Sequence, residues 1–295
     1  MEVITKIKDI QNLCESLRIK GKSIAFVPTM GYLHEGHLSL MRKGKEVADA
    51  LITSIFVNPT QFAPNEDFES YPRDIERDKS LAEQNHTEYL FLPSNNEMYP
   101  KGYLTSIQIE GFTLKFEGVT RPEHFKGVAT IVAKLFNIVK PHFALFGQKD
   151  YQQTLLIKQL ATDLNFDINI ITCPTIREHD GLALSSRNVY LTKELRQKAG
   201  VIFHTLENAI KIVEEGENRR KVINANLHNI LRSVPEIKID YASSANADTL
   251  VEPDLYLPGD RIVLLIAVFL GKTRLIDNAV VSVPSDPKVK PYYFV

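Results

Sequence analysis

"FVPTMGYLHEGHLSLM", Phe26–Met41, passes without a break from an apolar strand pattern into an apolar-periodic helix pattern, and the junction carries two histidines three residues apart, His34 and His37. Strand and helix patterns go on alternating from there: "ALITSIFVN", a helix from Tyr71, "EYLFLP", a helix from Glu123, "FALFG", a helix from Lys149, and "INIIT". Such alternation predicts a Rossmann-like α/β domain built on a parallel sheet. "TSIQIEG" interrupts it, as an excursion or as an edge strand. In "HFKGVATIVAKLFNIV" the residues Phe125, Val128, Ala129, Val132, Leu135, Phe136 and Val139 recur at helical spacing, so one face of that helix is expected on the sheet.

The pattern changes after the loop "REHDGLALSSRN". One long charged helix from Thr192 to about Glu215, a second from Arg220, and the strands "IKIDYAS" and "IVLLIAVFL" predict a smaller α+β C-terminal domain. A boundary near Ile176 gives domains 1–176 and 177–295 and puts the serine-rich loop at or beside a cleft, where ligand sites commonly form.

A chain of 295 residues with 44% hydrophobic content can bury a sizeable core. Its 35 basic and 36 acidic side chains leave a formal charge of -1, no electrostatic footprint for a nucleic acid or an anionic membrane, so small molecules are the expected partners. The start, "MEVITKIKDIQNLCESL", lacks the basic and apolar regions of a signal peptide. The longest apolar run, Ile262–Leu270, is far short of the roughly 20 residues of a membrane helix and reads as a buried strand. Cys14 and Cys173 stand far apart without metal-ligand company, which fits two reduced thiols and a cytoplasmic location.

Two nucleotide signatures fail. "GKS" at Gly21 and "GKT" at Gly271 resemble the end of a P-loop, but Ser16 and Ile266 stand where its first glycine belongs, and G-x-G-x-x-G is absent. His34 and His37 occupy the first strand-to-helix turn instead. Open α/β sheets bind ligands at that edge, the following helix N-terminus attracts phosphate, and imidazoles there can donate hydrogen bonds to phosphate oxygens as charge builds. Gly31 and Gly36 are expected to let the backbone approach a ligand. Zinc is disfavoured because H-E-x-x-H needs i, i+4 spacing on a formed helix, so no dedicated protein metal site is expected; surface histidines in an ordinary turn are the plain alternative.

A second cluster lies where "FALFG" meets "QKDYQQTLLIKQL". Gln153 heads an apolar stripe of Leu156, Ile157, Leu160 and Leu164, and Lys149, one turn earlier, is either a phosphate neutraliser or a solvated first-turn lysine. The third, "DGLALSSRN", gathers Ser185, Ser186 and Arg187 in a composition suited to phosphate.

With "SIFVNPTQF", "YPRD", "RPEHFKGVATIVAKLFNIVKP", "FGQKDYQQ" and "FLGKTRLIDN" added to the histidine turn and the serine loop, the chain closely resembles the pantothenate synthetase (pantoate-β-alanine ligase) family of the HxGH nucleotidyltransferase superfamily, from Pro28 to Asn278. The resemblance implies that pantoate attacks the α-phosphorus of ATP, supplied with Mg²⁺, releasing pyrophosphate, and that β-alanine then attacks pantoyl adenylate to give pantothenate and AMP. It also implies a homodimer and a C-terminal domain that acts as a lid over the nucleotide- and pantoate-binding domain.

Carried over by position, Met30, Gly31, Tyr32, Leu33, His34, Glu35, Gly36 and His37 match an ATP-contacting run, with His37 as the catalytic proton donor. Gly147, Gln148, Lys149 and Asp150 match a nucleotide-binding segment, Ile176 an adenine contact, Leu184, Ser185, Ser186 and Arg187 a phosphate loop, and Gln61 and Gln153 the glutamines for pantoate and β-alanine. His34, His37, Lys149 and Arg187 are the donors expected to offset the charge of a triphosphate meeting a carboxylate. Two positions depart from the family pattern: Gln148 stands for glutamate and Glu123 for glycine. The histidine turn taken alone also fits a nucleotidyltransferase acting on phosphates or alcohols, or a nucleotide-sensing protein without turnover. The neutral glutamines favour the ligase, and the retained histidines and Lys149 favour catalysis.

Overall fold

Every element of the first half serves one sheet, and the order of its strands decides where a ligand can sit. The computed structural model describes residues 1–64 and 66–285; the C-terminal stretch from Asp286 lies outside them. The chain divides into two compact units, one Met1–Ile176 and the other from Arg177 onward.

The first unit runs β1 (Glu2–Ile4), α1 (Ile7–Ile19), β2 (Ile24–Thr29), α2 (Glu35–Val47), β3 (Ala50–Ile55), α3 (Ile75–Gln84), β4 (Tyr89–Phe91), the short α4 (Asn95–Met98) and α5 (Glu117–Thr120), α6 (His124–Val139), β5 (Phe143–Gly147), α7 (Tyr151–Asp163) and β6 (Asn169–Cys173). Its six strands pair in the order β1-β4-β3-β2-β5-β6, all parallel. From β2 the chain steps outward through β3 and β4 and later returns to β5 on the opposite flank of β2. The C-terminal ends of β2 and β5 therefore border the crevice where the winding reverses, the usual ligand position in such sheets.

Ile24, Ala25, Phe26 and Val27 of β2 are fully buried, as a strand covered on both faces must be. All seven residues of the α6 stripe, from Phe125 to Val139, are buried too.

One helix start, one open alternative and one stripe residue are decided by the structure. The helix expected from Tyr71 starts at Ile75, because Pro72 precedes it and Asp74 caps it by accepting the Arg77 N–H at 3.2 Å. "TSIQIEG" forms no strand: Ile107 and Ile109 pack on the core while the Ile107 N–H donates to Thr130 Oγ1 at 2.9 Å, which makes the segment an excursion. Leu164, placed on the α7 stripe, is the C-cap of α7 and 48% exposed. β1 and α1 are additions to the pattern read from sequence.

The second unit holds α8 (Lys193–Lys198), α9 (Val201–Glu214), α10 (Arg220–Arg232) and an antiparallel sheet of β7 (Ile237–Asn246), β8 (Arg261–Leu270) and β9 (Thr273–Ser282) in the order β7-β8-β9. The apolar run of β8 is the buried central strand, as its composition suggested. The single helix expected from Thr192 to Glu215 is two, broken at Ala199–Gly200. A Cβ at Gly200 would lie 3.2 Å from both the carbonyl oxygen and the carboxylate of Asp180, so the chain turns there on a close approach. β9 went unread because its alternation is diluted by Arg274, Asp277 and Asn278. Cys14 and Cys173 are both free and buried. Among the described residues no helix is long and apolar enough to cross a membrane.

Candidate active site

The turn from β2 to α2 explains the spacing of the two histidines. His34 is the N-cap of α2, with extended backbone, and its Nδ1 accepts the Gly36 N–H at 3.2 Å. His37, three residues on, returns the bond: its Nδ1 accepts the His34 N–H at 3.3 Å. This is a capping box made of two imidazoles, and it satisfies helix-end donors that would otherwise be orphaned. This pair requires a glycine at position 36, because a Cβ there would stand 2.9 Å from atoms of the His34 ring.

A nitrogen that accepts a backbone N–H carries no proton, so in both neutral rings the proton sits on Nε2. Neither Nε2 has a hydrogen-bond partner among the described residues. Burial pushes the pKa of His34 down to about 2, helped by the positive charges of His37, Lys149 and Arg77. Burial likewise lowers His37 to about 4, with Asp150 opposing and Lys149 adding to the shift. The turn thus offers two neutral Nε2–H donors, on rings whose centroids are 4.1 Å apart, at physiological pH.

Before the histidines the backbone is left-handed twice, at Gly31 (φ 83°) and at Tyr32 (φ 49°). A side chain held there costs about 1–3 kcal/mol, so other contacts must fix it. Thr29 Oγ1 accepts the Gly31 N–H at 3.2 Å, and the Asp78 carboxylate from α3 accepts the N–H groups of Tyr32 and Leu33 at 2.6 and 2.7 Å. Leu33 is fully buried, and its N–H and that of Tyr32 are already engaged. A cavity of about 310 Å³ opens where β2, β3 and β4 end, on the flank of the turn away from β5, lined by Met30, Tyr32, Phe68, Arg73 and Asn95 among others.

On the β5 flank a single 3₁₀ turn, Gln148–Asp150, leads into α7 and brings Lys149 and Asp150 into electrostatic reach of the histidines. Lys149 Nζ lies 3.5 Å from Asp150 Oδ1. The two glutamines that open α7 differ. Gln152 is buried and structural, donating to the carbonyls of Phe112 and Lys115 at 2.7 and 2.9 Å. Gln153 is half-buried and its side chain makes no hydrogen bond among the described residues.

Gln61 is more elaborately held. Asn58 caps its 3₁₀ turn, Pro59–Gln61, and donates from Nδ2 to Gln61 Oε1 at 3.2 Å, while Gln61 Nε2 donates to Met30 Sδ at 2.9 Å. Its carbonyl accepts from Arg121 Nη2 at 3.3 Å and from His124 Nδ1 at 3.0 Å. Burial and the Arg121 charge lower the His124 pKa to about 4. Arg121 is itself fixed by Glu66. Gly127 of α6 must be a glycine, since a Cβ would lie 2.3 Å from the Thr60 carbonyl oxygen. Of these supports, Asn58, Arg121 and His124 stood inside recognisable motifs; Asp78 carried no local signal.

Ile176 ends the first unit, and Leu184 to Arg187 belong to the second. There Arg177 pairs bidentately with buried Asp277 at 2.6 and 2.9 Å, and Arg196 joins Asp180 and Glu178 at 2.5 and 2.7 Å. The pairing with Arg196 holds the Asp180 carboxyl down to about 2. Ser185 Oγ then caps the turn by accepting the Arg187 N–H at 3.3 Å. The two departures from the family pattern are structurally mild at one position: Glu123 has φ −90° and an exposed side chain 3.4 Å from Lys126, so no glycine is needed. Nothing in the structure explains Gln148.

A sequence model described as pantoate-β-alanine ligase matches residues 2–280. The chain belongs to the pantoate-β-alanine ligase family. It is 52% identical to the pantothenate synthetase of Thermodesulfovibrio yellowstonii over 283 residues, 96% of this chain and all of that one, and 51% identical to that of Moorella thermoacetica, covering 96% and 99%. Among solved structures, pantothenate synthetase from Thermus thermophilus superposes with a TM-score of 0.88 at 40% identity, covering 95% of this chain and 99% of that one. The pantoate-β-alanine ligase of Francisella tularensis, crystallised with beta-gamma ATP and beta-alanine, does so at 0.77 and 38%, covering 95% and 97%. Pantoate-β-alanine ligases are the ATP-using enzymes of pantothenate biosynthesis.

Proposed function

We propose that this chain ligates pantoate to β-alanine in two steps at the β2–β5 crevice, with ATP taken as its Mg²⁺ complex. A pantoate carboxylate oxygen bonds to the α-phosphorus, the bond to the β-phosphate oxygen breaks, and pyrophosphate leaves. The neutral amine of β-alanine then attacks the acyl carbon, AMP departs with the acyl oxygen, and the amine gives up its proton. The observation that carries this reading is the pair of neutral, backbone-locked imidazoles with Nε2–H available beside Lys149. Such donors stabilise charge developing on the α-phosphate without having to reorganise.

In this reading Lys149 neutralises the triphosphate, Asp150 orients Lys149, and the Met30–His37 and Gly147–Asp150 segments line the nucleotide. The loop Leu184–Arg187 keeps the part of a phosphate loop, and Ile176 that of an adenine contact. Gln61 offers an amide N–H because Asn58 occupies its oxygen, and Gln153 offers an uncommitted amide, both suited to a hydroxy acid. The β-alanine bound in the Francisella relative supports the choice of amine. The exposed apolar side chains Leu104, Leu114 and Val119 support a homodimer, and the two free thiols fit a cytoplasmic setting. The test is direct: protein incubated with Mg²⁺, ATP, pantoate and β-alanine should yield pantothenate by mass, with AMP and not ADP.

A further inference from the structure

Asp78 is a carboxylate with no solvent exposure, on the helix that follows β3, the strand next in sequence after the histidine turn and α2. Its oxygens are spent on two consecutive backbone N–H groups, those of Tyr32 and Leu33, at 2.6 and 2.7 Å. Arg77 is the nearest cation, 3.6 Å from Oδ1, its side chain half-exposed and its guanidinium over the Tyr32 ring. Burial pushes the Asp78 pKa up, and the two N–H bonds push it back down. Isolated buried carboxylates are expensive, so such a group persists where its acceptor oxygens do something an apolar residue could not.

What they do here is grip a left-handed backbone. Gly31 and Tyr32 both have positive φ, and consecutive N–H groups in such a bend converge on one side as an anion-binding concavity. The protein fills that concavity with its own anion. The fit is close: a Cβ at Gly31 would lie 3.0 Å from Asp78 Oδ2. The residue immediately after the gripped pair is His34, whose extended backbone and ring position start α2.

We propose that Asp78 is the positioning residue of the histidine turn, its carboxylate fixing the Gly31–Leu33 backbone so that the His34 and His37 Nε2–H groups are aimed before ATP arrives. This rests on the reading of those histidines as α-phosphate donors. Asp78 also lines the cavity beside the turn, but its two oxygens are already held by backbone N–H groups, so it is assigned a positioning role and no substrate contact. Its effect is on geometry, and a misplacement of about 1 Å can cost on the order of 10²-fold in rate.

The test compares Asp78→Asn with Asp74→Ala and His34→Ala in pantoate-dependent exchange of labelled pyrophosphate into ATP. An asparagine can accept only one of the two N–H groups and turns its own NH₂ on the other. Asp74→Ala removes the cap of the same helix without touching the turn, so it reports simple destabilisation. Expected are a fall of about 10- to 100-fold in the exchange kcat of Asp78→Asn, a smaller change in the KM for pantoate, and near wild-type exchange for Asp74→Ala. Hydrogen exchange on the wild-type enzyme adds a reading that needs no variant to fold: the amides of Tyr32 and Leu33 should be protected. Unprotected amides, an Asp78→Asn enzyme with wild-type kcat, or equal losses in Asp78→Asn and Asp74→Ala would each overturn the proposal. If His34→Ala exchanges at the wild-type rate, the reading of the histidines has failed instead, and the positioning role falls with it.

Discussion

His34 and His37 cap one another: the Nδ1 of His37 accepts the N–H of His34 at 3.3 Å, and Nδ1 of His34 accepts from Gly36. That exchange fixes the tautomer of each ring and leaves Nε2–H as its only donor. Protonation would break the box, since an imidazolium Nδ1 cannot accept. In the proposed reaction His37 is therefore expected to serve as a hydrogen-bond donor more than as a source of a full proton.

His37→Ala should lower pantoate-dependent exchange of pyrophosphate into ATP by ~10² to 10³ while changing ATP affinity much less, because its donor counts mainly as charge develops. In the wild-type enzyme the ring resonances of His37 should titrate near pH 4 in nuclear magnetic resonance. A midpoint near the ordinary histidine value of 6.5 would mean that the box is open in solution.

Acid should destabilise the fold earlier than carboxylates alone would cause. The folded pKa values of His37 and His124 are about 4 and that of His34 about 2, all below the ordinary value of 6.5. The unfolded chain takes up protons on these groups below about pH 6.5 and the folded chain does not, so their contribution is complete above that pH and drains away as the pH falls towards about 4, and further for His34. Urea midpoints measured from about pH 7.5 to about pH 5 should decline, and the slope should shrink in His124→Gln. A flat profile across that window would contradict the buried neutral rings.

Lys149→Ala should weaken both ATP binding and turnover, since a charge beside the triphosphate acts in ground and transition states alike. Lys149→Arg should recover little, because a planar fork does not replace a compact ammonium next to Asp150. Full recovery in steady-state kinetics would reduce Lys149 to a diffuse charge.

Gln61→Ala should raise the KM for pantoate and leave that for ATP nearly unchanged. The lost amide N–H leaves a substrate oxygen unpaired, a penalty of about 1–3 kcal/mol or roughly 5- to 150-fold. Equal effects on both substrates would point to collapse of the Asn58–Gln61–His124 network rather than to a substrate contact.

What could be read from sequence was what has a short period. The βα alternation, the α6 face and the buried β8 follow from spacing of apolar residues, and the histidine turn stood out because polar rings interrupt an apolar run. Other features depend on partners distant in sequence. The close approach at the break before α9 is between Gly200 and Asp180. Asp78 lies 46 residues from the Tyr32 N–H it accepts, and no local pattern marks that bond. β9 was hidden because Asp277, a buried partner of Arg177, interrupts its apolar face.

If pantoate is activated by attack on the α-phosphorus above the histidine turn, one of its carboxylate oxygens must leave with AMP. Pantoate labelled with oxygen-18 in the carboxylate, turned over with ATP, Mg²⁺ and β-alanine, should pass one labelled oxygen to AMP and none to pyrophosphate. Label in inorganic phosphate with ADP as the nucleotide product would place the attack at the γ-phosphorus and rule out pantoyl adenylate.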